Sequence, residues 1–383
     1  MNANPNTATT QVLLVSEQAA PNLLAALDPK MKPQEAVLMV SAKMARRADA
    51  LQAVLQESGV KTTRVALPDE HDLAALENTM MEVASARDGQ SITINVTGGN
   101  KLMALAAQAV AQAAGWPAFY VDVDTDQIIW LDKTRPAQTL TQQLRINHYL
   151  RGYGFTLAQS IERPETNKAL QNLMSTLVLN VGTLEQPIGQ LNWIGQQAEE
   201  RSSLSVKLTP NQLDSRSLDA LLRNFADAQV LRVEGDTLTF SNADTRFFAK
   251  GGWLEHHVYQ TVCQVTGDLG IRDKAANLVV QDSTGTKSEI DVALMARNRF
   301  FAIECKTARM DKPEAPKAND TLHKLSDNCR RIGGLGARGM LATYRPLRES
   351  ELKLAKALNI EVVAGSALAR LGERLKLWVR PVG

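Results

Sequence analysis

Ser288-Glu289-Ile290-Asp291-Val292 and, a few residues on, Ile303-Glu304-Cys305-Lys306 decide how the C-terminal part of this 383-residue chain folds. Between them lie two apolar runs, Val292–Met295 and Phe300–Ile303, joined by Ala296-Arg297-Asn298-Arg299. A two-residue turn at Arg297-Asn298 predicts a β-hairpin that sets Asp291 opposite Glu304 and Glu289 opposite Lys306. Side chains alternate along a strand, so Glu289, Asp291, Ala293, Met295, Phe300, Ala302, Glu304 and Lys306 share one face. Ile290, Val292, Leu294, Phe301, Ile303 and Cys305 occupy the other, which reads as core. A slip of one residue would bury the charges, so the hydrophobic pattern fixes the register.

A paired Asp and Glu on a rigid hairpin, with a lysine two residues on, has a chemical use. Two hard carboxylates suit Mg²⁺ or Mn²⁺, which keeps its other positions for water and phosphate. Such an ion lowers the pKa of bound water and stabilises charge on an attacked phosphate. The lysine can orient the water, accept its proton or neutralise developing charge. Taken alone, the pattern equally suits a solvated hairpin face with a cross-strand Glu–Lys pair.

Asp291, then Glu304-Cys305-Lys306 after a turn, resembles the PD-(D/E)XK nuclease motif. That superfamily also has an acidic residue on the helix before the first strand. Gly251-Gly252-Trp253-Leu254-Glu255 opens a helical pattern through Val258 and Val262, and Glu255 matches the upstream position. The resemblance implies a catalytic set of Glu255, Asp291, Glu304 and Lys306. It implies metal ligation by Glu255, Asp291, Glu304 and the backbone carbonyl of Cys305. Read without it, Glu255 is a first-turn glutamate favoured by the helix dipole.

The composition, 44% hydrophobic and 22% charged, is that of an ordinary soluble globular chain long enough for two or three domains. A net charge of +2 provides no global field for nucleic acid, so any such contact must be local. Cys263, Cys305 and Cys329 have no zinc spacing and read as reduced thiols in a cytoplasm. No apolar run approaches a membrane span, and the polar stretch Met1–Thr10 lacks the order of a signal peptide and reads as disordered.

The first 132 residues alternate apolar strands and amphipathic helices: strands at Gln11–Ser16, Ala36–Val40, Lys61–Leu67, Ser91–Val96, Ala118–Val123 and Gln127–Leu131. This pattern predicts a Rossmann-like, doubly wound parallel sheet covered on both faces. Ligands in such folds sit beyond the carboxyl ends of the strands. Ser16-Glu17, Ser41-Ala42-Lys43 and Thr97-Gly98-Gly99-Asn100-Lys101 lie there. The last combines glycines that allow close approach with a helix start suited to anions. It also serves as a strand-to-helix turn that needs glycine for geometry. Neither GxGxxG nor a Walker lysine pattern is present.

From Arg163 to Lys250 a helical run, Leu218–Phe225, precedes a hairpin about Gly235-Asp236. The order suggests a winged-helix-like module, read either as a DNA contact or as a spacer. Few positive charges (Arg216, Arg223, Arg232) favour the spacer. Beyond Gly251 the order helix, three strands, helix, strand fits a restriction-endonuclease-like α/β core. Thr321–Ile332 and Glu349–Leu358 are its later helices. Lys312–Lys317 is expected to be a flexible loop beside the site, with Arg330, Arg331 and Arg338 as local positive surface. The expected domains are therefore 1–150, 151–250 and 251–383.

Taken together, these features resemble the CRISPR-associated Rossmann fold (CARF) nucleases, ancillary effectors of type III CRISPR systems. The resemblance covers essentially the whole chain. It implies a homodimer whose paired CARF domains bind one cyclic oligoadenylate, cyclic tetraadenylate, and thereby license metal-dependent cleavage of DNA or RNA. It transfers ligand contacts to Ser16, Glu17, Ser41, Lys43, Thr97, Gly98, Gly99, Asn100 and Lys101. Glu17 is the exception in charge, since a carboxylate meets phosphate only at a cost, and a ribose or adenine amine suits it better. Asn100 stands where such domains commonly have Thr. The competing expectation is a ligand-sensing transcription regulator that reads DNA through the middle module. A dinucleotide-dependent enzyme is disfavoured by the missing fingerprint.

Overall fold

The computed structural model describes residues 8–132, 134–161, 167–308 and 317–380. The N-terminal sheet contains parallel strands β1 (Thr10–Leu14), β2 (Glu35–Val40), β3 (Lys61–Ala66), β4 (Ile92–Asn95) and β5 (Ala118–Asp122). Antiparallel β6 (Gln127–Trp130) and β7 (Gln138–Thr139) complete the order β3-β2-β1-β4-β5-β6-β7. Alternate residues of β1 feed two cores. Leu13 packs with Leu23, Leu51 and Phe119 on one face, and Val12 and Leu14 with Met80, Met103 and Val110 on the other. The strands are thus apolar on both sides, as a doubly wound sheet requires. The order reverses between β1 and β4, a switch point. Thr10 already belongs to β1 and Ala8 is buried, so order begins before the expected end of the polar N-terminal stretch. Residues 1–7 of that stretch lie outside the described residues.

The next strand, β8 (Thr156–Ile161), crosses to the C-terminal sheet. Helices Lys168–Leu179 and Val181–Glu200 follow, then β9 (Ser205–Lys207), the helix Arg216–Asp227, β10 (Leu231–Glu234) and β11 (Thr237–Phe240). Gly235, at φ +59°, turns the predicted hairpin, and β9 adds to β11 in a three-stranded sheet.

The helix Trp253–Gln264 leads into β12 (Ile271–Gln281), β13 (Lys287–Ala296) and β14 (Arg299–Lys306). These run antiparallel, and β15 (Arg338–Thr343) and β16 (Ile360–Ala364) then add parallel to β14. The sheet order is β16-β15-β14-β13-β12-β8. The β13–β14 register is the predicted one: Val292 faces Ile303, Met295 faces Phe300, and Ala296 faces Arg299 across the turn. Arg297 and Asn298 have φ of +50° and +56°, the left-handed pair that a two-residue hairpin turn demands. The helix Lys317–Gly333 begins where a loop was expected to end, and the rest of that loop, to residue 316, lies outside the described residues.

Two expectations about the hairpin faces need correction. Ala293, Met295, Phe300 and Ala302 are buried, not solvated, in a core shared with the helices Lys317–Gly333 and Ile146–Gly152; Tyr149 stacks on Phe300 at 5.8 Å. Ile290 joins this same cluster, whereas Val292 packs with Trp253 and Val258 on the opposite face. Strict alternation therefore breaks at Asp291. Across the ladder Asn277 sits at φ +48°, and on its other edge β12 shifts register against β8 at the same point, as at a bulge, while its pairing with β13 keeps register.

The N-terminal domain is joined to the hairpin at its turn. Asn298 is 4% exposed. Its Oδ1 accepts from Leu144 N at 2.8 Å, and its Nδ2 donates to Asp126 Oδ1 at 2.7 Å and to Gln142 O at 3.1 Å. Asn298→Ala should lower stability by about 2–4 kcal/mol in urea unfolding, since buried partners are left unpaired and the left-handed backbone is strained. Asn298→Gly should recover roughly 1 kcal/mol by relieving the strain alone. Unfolding midpoints equal to wild type for both would show that the amide contributes nothing.

Candidate functional site

The carboxylates and the lysine meet where β13 and β14 part. The ladder ends at Val292–Ile303, and one residue further the Asp291 Oδ2 accepts the Cys305 N–H at 2.7 Å. β14 continues against β15, which carries Glu304 and Lys306 past the end of β13's pairing. Lys306 Nζ lies 2.5 Å from Glu304 Oε1. Glu289 is exposed, so the ion pair forms along one strand and not across the hairpin. Cys305 is buried, with its side chain in the core as its place in the triplet implies.

Electrostatics at this point are crowded. Burial, followed by the nearby Glu304 and Glu255 carboxylates, pushes Asp291 up to about 8. Burial opposes the charge on Lys306, but Glu304 and Asp291 outweigh it and hold the ammonium above its ordinary range. Glu255, half-buried in the first turn of Trp253–Gln264, reaches this cluster as the sequence predicts. Gly251 makes that approach possible: at φ +134° it lies against Thr307, and a Cβ there would meet Thr307 Oγ1 at 2.2 Å.

Among the described residues no three His, Cys, Asp or Glu side chains close around a metal-sized gap. An all-protein cage is therefore not what the site offers. The donors are carboxylates with a neighbouring backbone carbonyl, which suits a hard cation held mostly by water and phosphate. The mutual repulsion around Asp291 is the feature such a cation would relieve.

A cleft of about 1120 Å³ opens beside the site, lined by Trp193, Gln190, Gln196, Lys250, Ala308 and Arg345 among others. Its Trp193 is 51% exposed. The expected positive residues are placed elsewhere. Arg338 begins β15, at the turn end of the hairpin, and Arg331 is paired with Asp282 at 2.8 Å.

A second cavity, of about 740 Å³, lies at the switch point of the N-terminal sheet. Ser16, Glu17, Ser41, Lys43, Thr97, Gly99 and Asn100 line it. Lys101 is exposed on its helix and Gly98 is packed under β1, where a Cβ would meet Leu14 O at 2.0 Å; neither lines the cavity. Much of this polar wall is already engaged. Thr97 Oγ1 donates to Asn95 Oδ1 at 2.6 Å and accepts from Val121 N at 2.7 Å. Asn100 caps its helix by accepting from Met103 N at 2.9 Å. Lys43 is paired with Glu70 at 2.6 Å and Glu17 with Arg47 at 2.7 Å. The far wall is Tyr149, Tyr153, Asn298 and Arg299, so the turn of the β13–β14 hairpin lines this cavity.

Two family models match the ends of the chain: the Card1 CARF domain over residues 10–149 and the Card1-like endonuclease domain over residues 242–382. The chain therefore joins a Card1-type CARF domain to a Card1-like endonuclease domain. Its fold is similar to that of protein VC1899 from Vibrio cholerae, at 26% identity and a TM-score of 0.90, over 99% of this chain and 100% of that one. Can2 from Sulfobacillus thermosulfidooxidans, solved with cyclic tetra-adenylate, matches at 23% identity and 0.81, over 97% and 98%. A type III CRISPR defence DNA nuclease activated by cyclic oligoadenylate matches at 20% identity and 0.56, covering 94% of this chain and 49% of that one. No curated protein matches the sequence.

Sequence reading missed Trp193, Arg345 and Arg299. The first two join the site only through the fold. Arg299 had a visible signal, since the predicted turn places it beside Asn298, but nothing in the sequence says what the turn touches.

The crowding of Asp291 has a measurable consequence. An unfolded aspartate ionises near 4, whereas Asp291 keeps its proton to about 8 in the folded chain. Between those values the folded state binds a proton that the unfolded state has lost, so stability falls as pH rises from about 4 to about 8. Urea unfolding in chelator from pH 4 to 9 should show Asp291→Asn gaining on wild type by up to about 1.4 kcal/mol per pH unit. A gap that stays constant across that range would mean that Asp291 is ionised throughout.

Proposed function

We propose that this protein is a cyclic-oligoadenylate-activated, metal-dependent endonuclease of the PD-(D/E)XK type that cuts DNA and/or RNA in CRISPR antiviral defence. The observation that carries the reading is the β13–β14 hairpin, which holds Asp291, Glu304 and Lys306 at one end and lines the sensor cavity at the other. Cyclic tetraadenylate is the proposed activator, as in the complex of Can2. Domains 1–150, 151–250 and 251–383 serve as sensor, linker and nuclease. A homodimer would place two copies of the cavity on a two-fold axis, which matches a symmetric ring. The three unpaired cysteines fit a reducing cytoplasm. No helix among the described residues is long and apolar enough to cross a membrane.

Glu255, Asp291, Glu304 and the Cys305 carbonyl would hold Mg²⁺ or Mn²⁺. Bound there, the ion supplies a water of lowered pKa and charge stabilisation at phosphate. Lys306, kept protonated by its ion pair with Glu304, neutralises charge developing on the attacked phosphate and is not the proton acceptor in the resting protein. Trp193 offers a stacking surface for an unstacked base, and Lys250 and Arg345 border the same cleft. Of the nine transferred ligand contacts, the seven that line the cavity remain the proposed set, with Gly98 supporting the turn from beneath.

The helices and three-stranded sheet of the middle segment are what support reading it as a winged-helix-like module. A DNA-reading role for it is the weaker reading. Arg223 is paired with Asp219 at 2.8 Å and Arg232 with Glu234 at 3.4 Å, which leaves that surface little unpaired positive charge.

Cleavage assays on single- and double-stranded DNA and RNA, with cyclic tetraadenylate and Mn²⁺, test the reading. Asp291→Ala, Glu304→Ala and Lys306→Ala should each lower kcat by about 10³-fold or more while activator binding persists. Full cleavage by all three variants would relocate the site. Trp193→Ala should raise KM several-fold on single strands, with kcat nearly unchanged. An unchanged KM would remove Trp193 from the substrate path.

A further inference from the structure

The geometry points to Arg299 as a binding residue for the anionic activator, contributed to the sensor cavity by the nuclease domain and paired there with Asp124, which the activator would displace. This rests on the sensor reading proposed above and adds a residue to it. Two cationic side chains line the cavity, Lys43 and Arg299. Lys43 is an exposed ammonium held by Glu70. Arg299 differs, because its side chain is 11% exposed, yet its Nη2 pairs with Asp124, whose side chain is 76% exposed. A deeply seated, permanently charged guanidinium is thus covered by a carboxylate on the solvent side.

The remaining charged wall is acidic: Glu17, Glu70, Asp122 and Asp124. A phosphate entering here meets repulsion unless it takes over a cation. Exchange at Arg299 has the lowest cost. Asp124 returns to water with little penalty, being exposed, while the buried guanidinium never loses a partner. Arg presents the planar fork that matches a phosphate with two hydrogen bonds, which a lysine cannot reproduce. Burial, and after it the charge of Arg299, lowers the Arg338 pKa while Asp124 raises it, so a second guanidinium lies near the Arg299–Asp124 pair.

Arg299 is also the first residue of β14 and pairs with Ala296 across the turn. The same strand reaches Glu304 about 17 Å away and Lys306 about 23 Å away at ~3.3 Å per residue. An exchange of partner at Arg299 therefore acts on the element that carries the catalytic groups.

Titration of the full-length protein with cyclic tetraadenylate, followed calorimetrically, tests this in opposite directions. Arg299→Gln should weaken binding about tenfold or more, and Arg299→Lys should fall between the two. Asp124→Asn should tighten binding several-fold and lower the activator concentration for half-maximal cleavage, because the competing carboxylate is gone. A purely structural ion pair would instead make Arg299→Gln and Asp124→Asn lose binding in step with their melting temperatures, and that outcome overturns the inference. Binding of both variants indistinguishable from a wild type that does bind overturns it too, and leaves the sensor reading standing. Failure of the wild type to bind cyclic tetraadenylate overturns both.

Discussion

The buried amide of Asn298 ties the two halves of this molecule together. It sits in a turn that only left-handed residues can make, and it satisfies donors and acceptors from the sensor side on three backbone and side-chain groups. Because the turn holds two residues, it leaves the hairpin no slack. The position of Asn298 fixes the register of β13 against β14, and through it the meeting of Asp291 with Glu304 and Cys305. Aromatic stacking of Tyr149 on Phe300 and a hydrogen bond from Tyr149 Oη to Gly333 O reinforce the same junction. Ile146 N, donating to Asp273 Oδ2 at 2.9 Å, ties the neighbouring strand as well.

This junction explains why the face of the hairpin that the sequence marks as charged is apolar over the half nearer its turn. Ala293, Met295, Phe300 and Ala302 pair there, while Asp291, Glu304 and Lys306 meet at the open end. Read one strand at a time, they look like an incidental apolar patch on a polar face. In the fold they are the floor on which a second domain rests, and they share a single core with Leu23, Leu150 and Phe155. Small residues at 293 and 302 with large ones at 295 and 300 let the sensor-side helix come down onto the sheet.

Local pattern made much of this legible. The apolar strands of the N-terminal sheet, the helices between them, the hairpin register and the convergence of Asp291, Glu304 and Lys306 follow from periodicity and turn chemistry, which act over a few residues. Glu255 required family resemblance, because a first-turn glutamate has an ordinary local explanation. What stayed hidden is what distant segments do to one another. The change of face between Ile290 and Val292 lies beside Asn277 on the paired strand, and an asparagine at φ +48° leaves no mark in an alternating pattern. Trp193 lies 113 residues from Lys306 in sequence, and only the packing of Val181–Glu200 beside Thr307 makes it part of a cleft; the Asn192 amide and Thr307 hydroxyl lie 3.0 Å apart. The glycines of Thr97-Gly98-Gly99 divide in the same way. One supplies a left-handed turn and the other a close approach to Leu14, and the sequence shows both only as glycine.

Charge closes both ends of the hairpin. At the turn Arg299 is paired with Asp124, across the same cavity Lys43 is paired with Glu70, and at the open end Lys306 is held by Glu304 while burial and neighbouring carboxylates oppose the ionisation of Asp291. Internal neutralisation of this kind stabilises a resting protein and lowers its affinity for phosphate at either site, since a ligand must compete with a tethered carboxylate. Such competition makes binding conditional. A polyanion gains only the difference between its own contacts and those it displaces, and that difference is all it has with which to bias the conformation of a shared strand. The hairpin is short, fully paired between Val292 and Ile303, and packed on both faces, so it cannot absorb a displacement at its turn by local bending. Rigidity at the centre and replaceable ion pairs at the ends are together what a coupling element requires.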